Sequence, residues 1–288
     1  MSVAVAAAAP RRRVRGTYSG ALIGLSVLLT LIGVAVLAPF LAPYDPTIIA
    51  GRPIEPPSPR HLLGTNDLGQ DLLSELIYSA RTSLMVGFAC ALLSTALSAF
   101  MGMASVVVVR VQIPLLAIID MFLAIPHFPV LVLVIALLGP GGWHLILALT
   151  LLGWPAYARV VRSQTLVTVR RDFVEAARAL GASDARIVVR YLLPEVLPLL
   201  WTKFLLTVRW AVLMEAALAL MGLGDPAAKS WGMMLDRAFV YPLLFFQQAW
   251  LWWALPPALA IMAITLALSA MGQDFEAWLN PASLHARR

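Results

Sequence analysis

Long apolar runs dominate the pattern of hydrophobic and polar positions along the chain. Four of these runs contain no charged residue, and each has about the 20 residues that a helix needs to cross a bilayer. Two further runs of similar length contain a few ionisable residues but are otherwise apolar. The charge-free runs cover 20–44, 82–109, 139–158 and 238–273, and the other two cover 111–138 and 191–224.

Within these runs the apolar residues are continuous and do not alternate with polar ones. Continuous runs are typical of membrane-spanning helices, whereas the strands of a membrane β-barrel alternate apolar and polar positions. The pattern therefore predicts an all-α membrane protein with six transmembrane helices.

Composition agrees with this prediction. Of the 288 residues, 61% are hydrophobic and 12% are charged, and the mean hydropathy is +0.85. Soluble domains carry about 25% charged residues, so this chain lacks the polar surface that a water-soluble globule needs. Composition thus excludes an ordinary soluble domain.

The net charge of +6 could suggest a nucleic-acid ligand, but the positions of the basic residues favour another explanation. Lys and Arg cluster at alternate ends of the predicted helices, as the positive-inside rule describes. With a cytoplasmic N-terminus, 14 of the 21 basic residues lie on the cytoplasmic side. The basic balance therefore reflects membrane topology, and we expect no nucleic-acid partner.

The segment after the first span has a different character. Residues 43–59 contain six prolines, which forbid a regular helix there. Leucines then recur at helical spacing and predict a short amphipathic helix on the outer membrane surface; these are Leu68, Leu72, Leu73 and Leu76. The chain accordingly divides into a cytoplasmic tail (1–19), a first transmembrane helix (20–42), an outer loop with the amphipathic helix (43–80), a five-helix core that includes a cytoplasmic loop at 163–191 (81–272) and a second cytoplasmic tail (273–288).

One polar stretch interrupts the apolar pattern: "RRDFVEAARALGASDARIVVRYLLPEVLP", residues 170–198. Asp172 precedes Glu175 by the three-residue spacing of a capping box, and mostly good helix formers follow. Gly181 is the residue type that most easily takes the left-handed turn ending a helix. The sequence "ASD" offers a second cap. The stretch therefore predicts a helix, a glycine turn and a second helix on the cytoplasmic side.

The first of these helices carries a narrow apolar stripe, flanked by Glu175 and Arg178. A stripe this small suits a groove on another protein more than it suits lipid. An ordinary solvated loop with arginines at the membrane surface is the alternative, and the residues alone leave it open. The stripe consists of Phe173, Ala176, Ala177 and Leu180.

Ionisable residues inside predicted spans are costly in lipid and usually face a cavity or a partner. Asp120 lies in the third span, and Arg209 and Glu215 lie in the fifth. They could line a path for a charged substrate, or they could form structural pairs within the bundle, for example between Asp120 and Arg209. We favour the structural pair, and the path-lining alternative stays open.

No residue pattern indicates catalysis, a metal site or a cofactor. The four histidines are scattered without metal-ligand spacing, and serine, histidine and acidic residues do not cluster in a polar segment. The two lysines of the chain, Lys203 and Lys229, lie outside any G-x-x-x-x-G-K-[ST] phosphate loop. We therefore expect no enzyme activity, no bound metal and no cofactor in this chain.

The polar stretch includes "EAARALGASDARIVVRYLLP", which resembles the EAA loop of ABC-importer permeases. Other segments, from about residue 60 to 281, resemble the peptide/nickel type of these permeases, also called the dipeptide/oligopeptide permease C type. They are "HLLGTNDLGQDLLSELIYSARTSLMVG", "WPAYARVVRSQTL", "EAALALMGLG" and "SWGMML". Asn66 and Gln70 stand where that family often has Asp and Arg. The EAA pattern is matched by Glu175, Ala176, Ala177, Gly181, Leu193 and Pro194.

This resemblance implies a type I ABC-importer permease fold in a bacterial inner membrane. It implies a second homologous permease subunit, two ABC ATPase subunits that bind ATP and Mg²⁺, and an extracytoplasmic substrate-binding protein. The helix at about 172–180 would be the coupling helix, and Glu215 would lie near the outer end of the path. The resemblance assigns ATPase docking to Asp172, Phe173, Glu175, Ala176, Ala177, Arg178, Leu180, Gly181 and Ala182.

The resemblance suggests di- or oligopeptides as substrate, with nickel or another metal chelate as the alternative. A secondary transporter belongs to a different class and would usually show an internal repeat, which we do not find. A passive membrane scaffold would be insensitive to changes in the loop. The sequence leaves the substrate itself open, because in this class selectivity rests largely with the binding protein.

Overall fold

The computed structural model describes residues 19–279, and in this range it contains helices and no β-strand. The predicted first tail (1–19) therefore lies outside the described residues except for Ser19, whereas residues 273–279 of the predicted second tail are described and belong to the last helix. The α-helices are α1 (Ser19–Val36), α2 (Ala38–Leu41), α3 (Leu72–Val107), α4 (Gln112–Ala124), α5 (His127–Leu138), α6 (Gly142–Val169), α7 (Asp172–Ala179), α8 (Asp184–Ile187), α9 (Leu193–Leu218), α10 (Trp231–Val240) and α11 (Leu255–Leu279). Short π-helical turns, Val188–Leu192 and Ala219–Leu223, flank α9.

Five helical segments are long and apolar enough to cross a membrane, and α4 with α5 makes a sixth if this bent pair counts as one span. The five are Ser19–Val36, Leu72–Val107, Gly142–Val169, Asp184–Leu223 and Ala249–Ala277. The all-α membrane fold is therefore confirmed, and the predicted third span is the bent pair.

The bend between α4 and α5 measures 90°. It follows from Pro126, because a proline disfavours the helical conformation in the residue before it. Ile125 accordingly adopts an extended backbone, with φ −81° and ψ 130°. The helix restarts at His127, so an apolar run that looks continuous in sequence folds as two helices.

The second span is longer than the sequence predicts. Its helix begins at Leu72, where the Asp71 carboxylate accepts a hydrogen bond from Ser74 N at 2.8 Å. The helix then continues without a break past the exposed Arg81 to Val107. The prediction of a separate amphipathic helix is therefore wrong: the leucines from Leu72 onwards belong to the first turns of the span itself.

The charge-free run at 238–273 is not one helix either. It contains the end of α10, an irregular segment with a 3-10 turn at Ala249–Leu251, and most of α11. Pro256 and Pro257 lie in the first turn of α11, where a helix leaves backbone N–H groups unbonded in any case. These prolines begin the helix and do not kink it.

Helix α3 lies at the centre of the bundle, between α6 and α9. Its buried face carries small residues at intervals of three or four, including Gly87, Ala91, Ser94, Ser98 and Gly102. Small residues let helices approach closely, which matters in lipid because no hydrophobic driving force acts between helices there. The approach is visible where Ser98 Oγ donates to the Trp154 carbonyl at 2.8 Å.

The first span packs against the last. Gly24 of α1 lies against the backbone of α11 at Ala267. One turn earlier, Ala21 N donates to Asp274 Oδ2 at 2.7 Å, and this carboxylate therefore accepts a hydrogen bond from the otherwise unbonded first turn of α1. The two ends of the described chain thus lie at the same end of the bundle.

Candidate functional site

The loop between α6 and α9, residues 170–192, is the main candidate site, and we call it the inter-span loop. Its first helix, α7, has Arg171 at the N-cap, in extended conformation and without a side-chain cap bond. Asp172 is the first helical residue and not the cap, so the predicted capping box is wrong. Asp172 and Glu175 still place negative charge in the first turn, where the helix dipole favours it.

The end of α7 is a complete Schellman turn. Gly181 has a φ of +83°, Gly181 N donates to the Arg178 carbonyl, and Ala182 N donates to the Ala177 carbonyl, both at 3.0 Å. These are the two hydrogen bonds that define the motif. The predicted glycine turn is therefore present, and it gives the chain between α7 and α8 a fixed direction.

The second half of the loop joins α9 directly. Ser183 is the N-cap of α8, and its hydroxyl accepts from Arg186 N at 3.4 Å, as the "ASD" pattern predicts. Helix α8 then continues through the π-helical turn into α9. Ile187, Leu192 and Val196 are completely buried along this connection. The loop therefore has a core of its own, shared with the adjacent ends of α3 and α6.

Helix α7 divides into an inward and an outward face. Val174 packs inward on that core, and Ala177 is also buried. Ala177 was predicted as part of an outward stripe, and it lies inside instead. The outward apolar residues are Phe173, Ala176, Ala179 and Leu180, of which Leu180 is 89% exposed.

Two contacts hold the orientation of α7 from outside the core. Arg171 Nη1 lies 2.9 Å from Glu195 Oε1 in the first turn of α9, and the Phe173 ring lies against that of Tyr191, with centroids 5.9 Å apart. The Arg171–Glu195 ion pair is exposed and contributes little to stability on its own. The orientation of α7 thus depends mainly on Val174 and Ala177. In the described chain Ala176 and Leu180 have no covering element, and Phe173, which touches Tyr191 on one side, is 43% exposed.

The intramembrane charges do not pair as the sequence suggested. Asp120 of α4 forms an ion pair with Arg159 of α6, whereas Arg209 Nη1 donates to Ser269 Oγ of α11 at 2.9 Å. The expected Asp120–Arg209 pair is therefore wrong. Asp120 and Arg209 lie on different helices, and the rotation of each helix turns their side chains to different neighbours.

Glu215 is enclosed within the subunit and is 5% exposed. Its Oε1 lies 2.5 Å from Ser230 Oγ, and its Oε2 lies 3.4 Å from Ser83 Oγ. Ser230 is also the N-cap of α10, so the Glu215 carboxylate connects α9 to α3 and to the start of α10. A role for Glu215 in a translocation path stays a prediction, and it would require α10 to move.

A second polar cluster lies at the end of the bundle away from the inter-span loop, the end where Glu215 also bonds Ser230, and sequence reasoning missed it. Glu75 is almost completely buried, and its Oε1 lies 2.8 Å from Lys229 Nζ and 3.5 Å from Arg237 Nη1. Gln70 and Asn66 complete the cluster, since Lys229 Nζ also donates to Gln70 Oε1 at 2.8 Å and Asn66 Nδ2 donates to Glu75 Oε2 at 3.2 Å. The cluster ties the outer loop to the segment around α10.

Metal ligands are not brought together in the part of the chain that the structure describes. No group of three or more His, Cys, Asp or Glu side chains has a ligating arrangement between residues 19 and 279. His61 is buried against Asp71, with Nδ1 and Oδ1 2.9 Å apart, and His144 Nδ1 lies 3.1 Å from the Gly139 carbonyl. Both histidines therefore have structural partners.

Two family models match the chain. Residues 94–282 match the binding-protein-dependent transport system inner membrane component, and residues 19–71 match the N-terminal transmembrane domain of oligopeptide transport permease C. The first match includes the inter-span loop, the Asp120–Arg159 pair, Arg209 and Glu215. The second covers α1 and the outer loop.

Bacterial permeases are similar over almost the entire chain. A putative peptide transport system permease protein of Brucella suis is 36% identical over 261 residues, which cover 90% of this chain and 86% of that protein. The di/tripeptide transport system permease protein DppC of Pseudomonas aeruginosa is 35% identical over 271 residues, with 91% and 88% coverage. The dipeptide transport system permease protein DppC of Escherichia coli is also 35% identical over 271 residues, with 91% and 89% coverage.

Proposed function

The chain belongs to the family of binding-protein-dependent transport system inner membrane components, and we propose that it is the permease subunit of an ATP-driven importer of di- and oligopeptides. Family membership makes it a multi-pass bacterial inner-membrane permease of the ABC transporter type. The secondary-transporter alternative is thereby set aside. The peptide substrate is proposed because the similar proteins of Pseudomonas aeruginosa and Escherichia coli are named as di/tripeptide and dipeptide permeases.

One observation carries the mechanism. Helix α7 is held rigidly by Val174 and Ala177 on one side and by the Schellman turn at Gly181 on the other, yet it exposes Phe173, Ala176 and Leu180. A short helix with a fixed orientation and an uncovered apolar face fits a groove on a partner protein. We propose that this partner is an ABC ATPase, and that movement of the ATPase is transmitted to the permease through α7.

The connection of α7 to the spans supports force transmission. Between the end of α6 and the start of α7 there are two residues, Arg170 and Arg171. On the other side, α8 passes through the π-helical turn into α9 without an intervening coil. A displacement of α7 would therefore act directly on two central helices of the bundle, since close-packed elements transmit strain.

The remaining subunits follow from this proposal. The chain would pair with a second homologous permease, and each of the two would bind one ATPase subunit. ATP and Mg²⁺ would be bound there, in separate chains. An extracytoplasmic binding protein would deliver the peptide to the opposite end of the bundle, where the outer loop and the Glu75 cluster lie.

Docking can be tested with two matched variants, each of which replaces an exposed alanine with tryptophan. Ala176→Trp enlarges the outward face of α7 while leaving Val174 and Ala177 in place, so we expect at least a tenfold lower recovery of the ATPase subunit with the affinity-purified permease, as for an interface hot spot. Ala227→Trp makes the same change at an exposed position at the opposite end of the bundle and should leave recovery unchanged. Normal ATPase recovery and peptide-stimulated ATP hydrolysis with Ala176→Trp would disprove docking through this face.

A further inference from the structure

The ion pair between Asp120 and Arg159 lies well inside the helices that carry it. Asp120 is about 12 Å along α4 from its first residue, and Arg159 is about 15 Å from the last residue of α6 and about 25 Å from its first. Both helices belong to segments that can span a membrane. The pair is therefore placed at a depth where lipid tails would surround any outward-facing side chain.

These two side chains are nevertheless exposed on the subunit surface, to 58% for Asp120 and 57% for Arg159. Charged side chains in membrane spans are costly when they face lipid, and they generally face water or protein instead. By contrast, the exposed residues of α11 at similar depth, such as Leu259, Met262 and Leu266, are all apolar. The α4–α6 surface thus carries charges at a depth where the α11 surface carries none.

Small residues lie one helical turn to either side of each member of the pair. Ala117 and Ala124 lie about one turn to either side of Asp120 on α4, and Ala156 and Ser163 do the same for Arg159 on α6; all four are exposed. Their small side chains leave both charged groups reachable from outside the subunit. One turn along α6, Arg162 adds a third charged side chain beside the pair, and its buried Nη1 has no hydrogen-bond partner among residues 19–279.

We propose that the Asp120–Arg159 pair lines the water-filled translocation path and exchanges its mutual contact for the two charged ends of a peptide. Asp120 takes the peptide's amino terminus and Arg159 its carboxylate. This inference rests on the proposed peptide-importer function and assigns a contact site within it. Arg209 and Glu215 are excluded from this site, because their side chains bond inside the subunit to Ser269, Ser83 and Ser230.

The ion pair can open when a peptide binds and can form again when the peptide leaves. An exposed ion pair contributes little stability, so little is lost when a ligand separates its members. Arg presents a planar fork that matches a carboxylate, and Asp accepts from an ammonium group. Without substrate, the pair neutralises itself and leaves no net charge that would repel either end of a peptide. The charged ends of an extended dipeptide are at most about 7 Å apart, and the flexible Arg159 side chain can open to that separation.

Water access is the first arm of the test. Cys90, which is free and completely buried, is replaced with Ala in the assembled complex, and single cysteines are introduced as Asp120→Cys or Leu266→Cys. A charged, membrane-impermeant thiol reagent should label position 120 during ATP turnover and should leave Leu266→Cys unlabelled. If position 120 is never labelled, the pair is covered by the second permease subunit, and the proposal is overturned.

Ligand contact is the second arm. In the complex without its binding protein, a saturating zwitterionic dipeptide should slow labelling of Ala124→Cys, because a peptide bound to the pair would cover this position one turn from Asp120. A dipeptide that is N-acetylated and C-amidated should give no protection. Adding Asp120→Asn should abolish the protection by the zwitterion. Equal protection by both peptides, or protection by neither, contradicts the proposed contact.

A control separates this inference from the proposed function. ATP-dependent dipeptide uptake is measured with the unaltered complex reconstituted in vesicles. If this uptake is absent, the proposed function fails and the inference fails with it. If uptake is present and either arm gives its negative result, the chain is still a peptide permease, and only the role of Asp120 and Arg159 is wrong.

Discussion

Gly181 determines where the exposed helix of the inter-span loop ends. Its φ of +83° lies in the left-handed region that non-glycine residues rarely adopt. The two hydrogen bonds of the Schellman turn depend on that conformation. A Cβ at this position would meet no atom within 4 Å, so the cost of adding one comes from backbone conformation and not from a clash.

Because the cost is conformational and not steric, it gives a clear prediction for Gly181→Ala. The left-handed conformation costs an alanine about 1 kcal/mol, so hydrogen exchange of the α7 amides should become roughly fivefold faster. Gly181→Asn should have a smaller effect, because asparagine tolerates this conformation better. Gly33 of α1 also has open space around it but an ordinary helical φ, and Gly33→Ala should leave exchange in α7 unchanged. Identical α7 exchange in the Gly181→Ala variant and the unaltered protein would show that the turn does not depend on glycine.

Local rules at single positions predicted part of the site. Gly181 and the Ser183 cap were recognised by residue type, because a glycine turn and a cap depend on only a few consecutive residues. The partner of Asp120 was not predicted. Arg159 lies 39 positions away in sequence, and only the rotation of α4 against α6 brings the two together. Exposure of the pair also follows from that rotation, which hydropathy alone does not determine.

Between neighbouring helices, close contact depends on the small residues of α3. At Gly102 an added Cβ would come within 2.7 Å of the Ala158 carbonyl oxygen and 2.8 Å of the Val161 Cβ. Neither atom belongs to a flexible side-chain end, so α6 would have to move. The small-residue face of α3 therefore sets the α3–α6 distance, and with it the position of Arg159 on the surface.

Gly102→Ala should accordingly destabilise the permease by about 1–3 kcal/mol, the usual cost of overpacking. The measurement is thermal unfolding of the purified subunit in detergent, followed by near-ultraviolet circular dichroism. Gly33→Ala adds the same methyl group to a helix where nothing lies within 4 Å and should unfold at the same temperature as the parent or slightly above it. Equal midpoints for the two variants would mean that the α3–α6 contact is looser than described.

The apolar runs predicted that spanning helices exist, but they did not predict where those helices begin and end. The runs at 20–44, 82–109 and 139–158 each contain most of a spanning helix. The run at 238–273 hides an irregular segment after Val240, because apolar residues can pack into a loop as well as into a helix. Trp253, for example, lies in that segment and is completely buried in the core. Hydropathy reports burial from water and not backbone conformation.

The direction of the helices decides how many times the chain crosses the membrane. Gly153 lies against Ser94 Oγ, Ser98 donates to the Trp154 carbonyl, and Gly102 lies against Ala158. Residue numbers therefore increase in the same direction along both helices, so α3 and α6 run parallel. Two parallel spans need a return crossing between them, and α4 with α5 is the segment available. The bent pair thus counts as a span, which gives six crossings over residues 19–279.

Six crossings place the inter-span loop and the outer loop on opposite sides of the membrane, and the positive-inside rule predicts that the inter-span loop is on the cytoplasmic side. With Cys90→Ala as background, single cysteines at the exposed positions Arg52, Pro140 and Leu180 test this arrangement. An impermeant thiol reagent added to spheroplasts should label Arg52→Cys and Pro140→Cys, whereas Leu180→Cys should be labelled only in inverted vesicles. Labelling of Pro140→Cys and Leu180→Cys from the same side would mean that α4 and α5 form a re-entrant hairpin. The Asp120–Arg159 pair would then face the membrane surface, and both the crossing number and the path-lining role of that pair would be lost together.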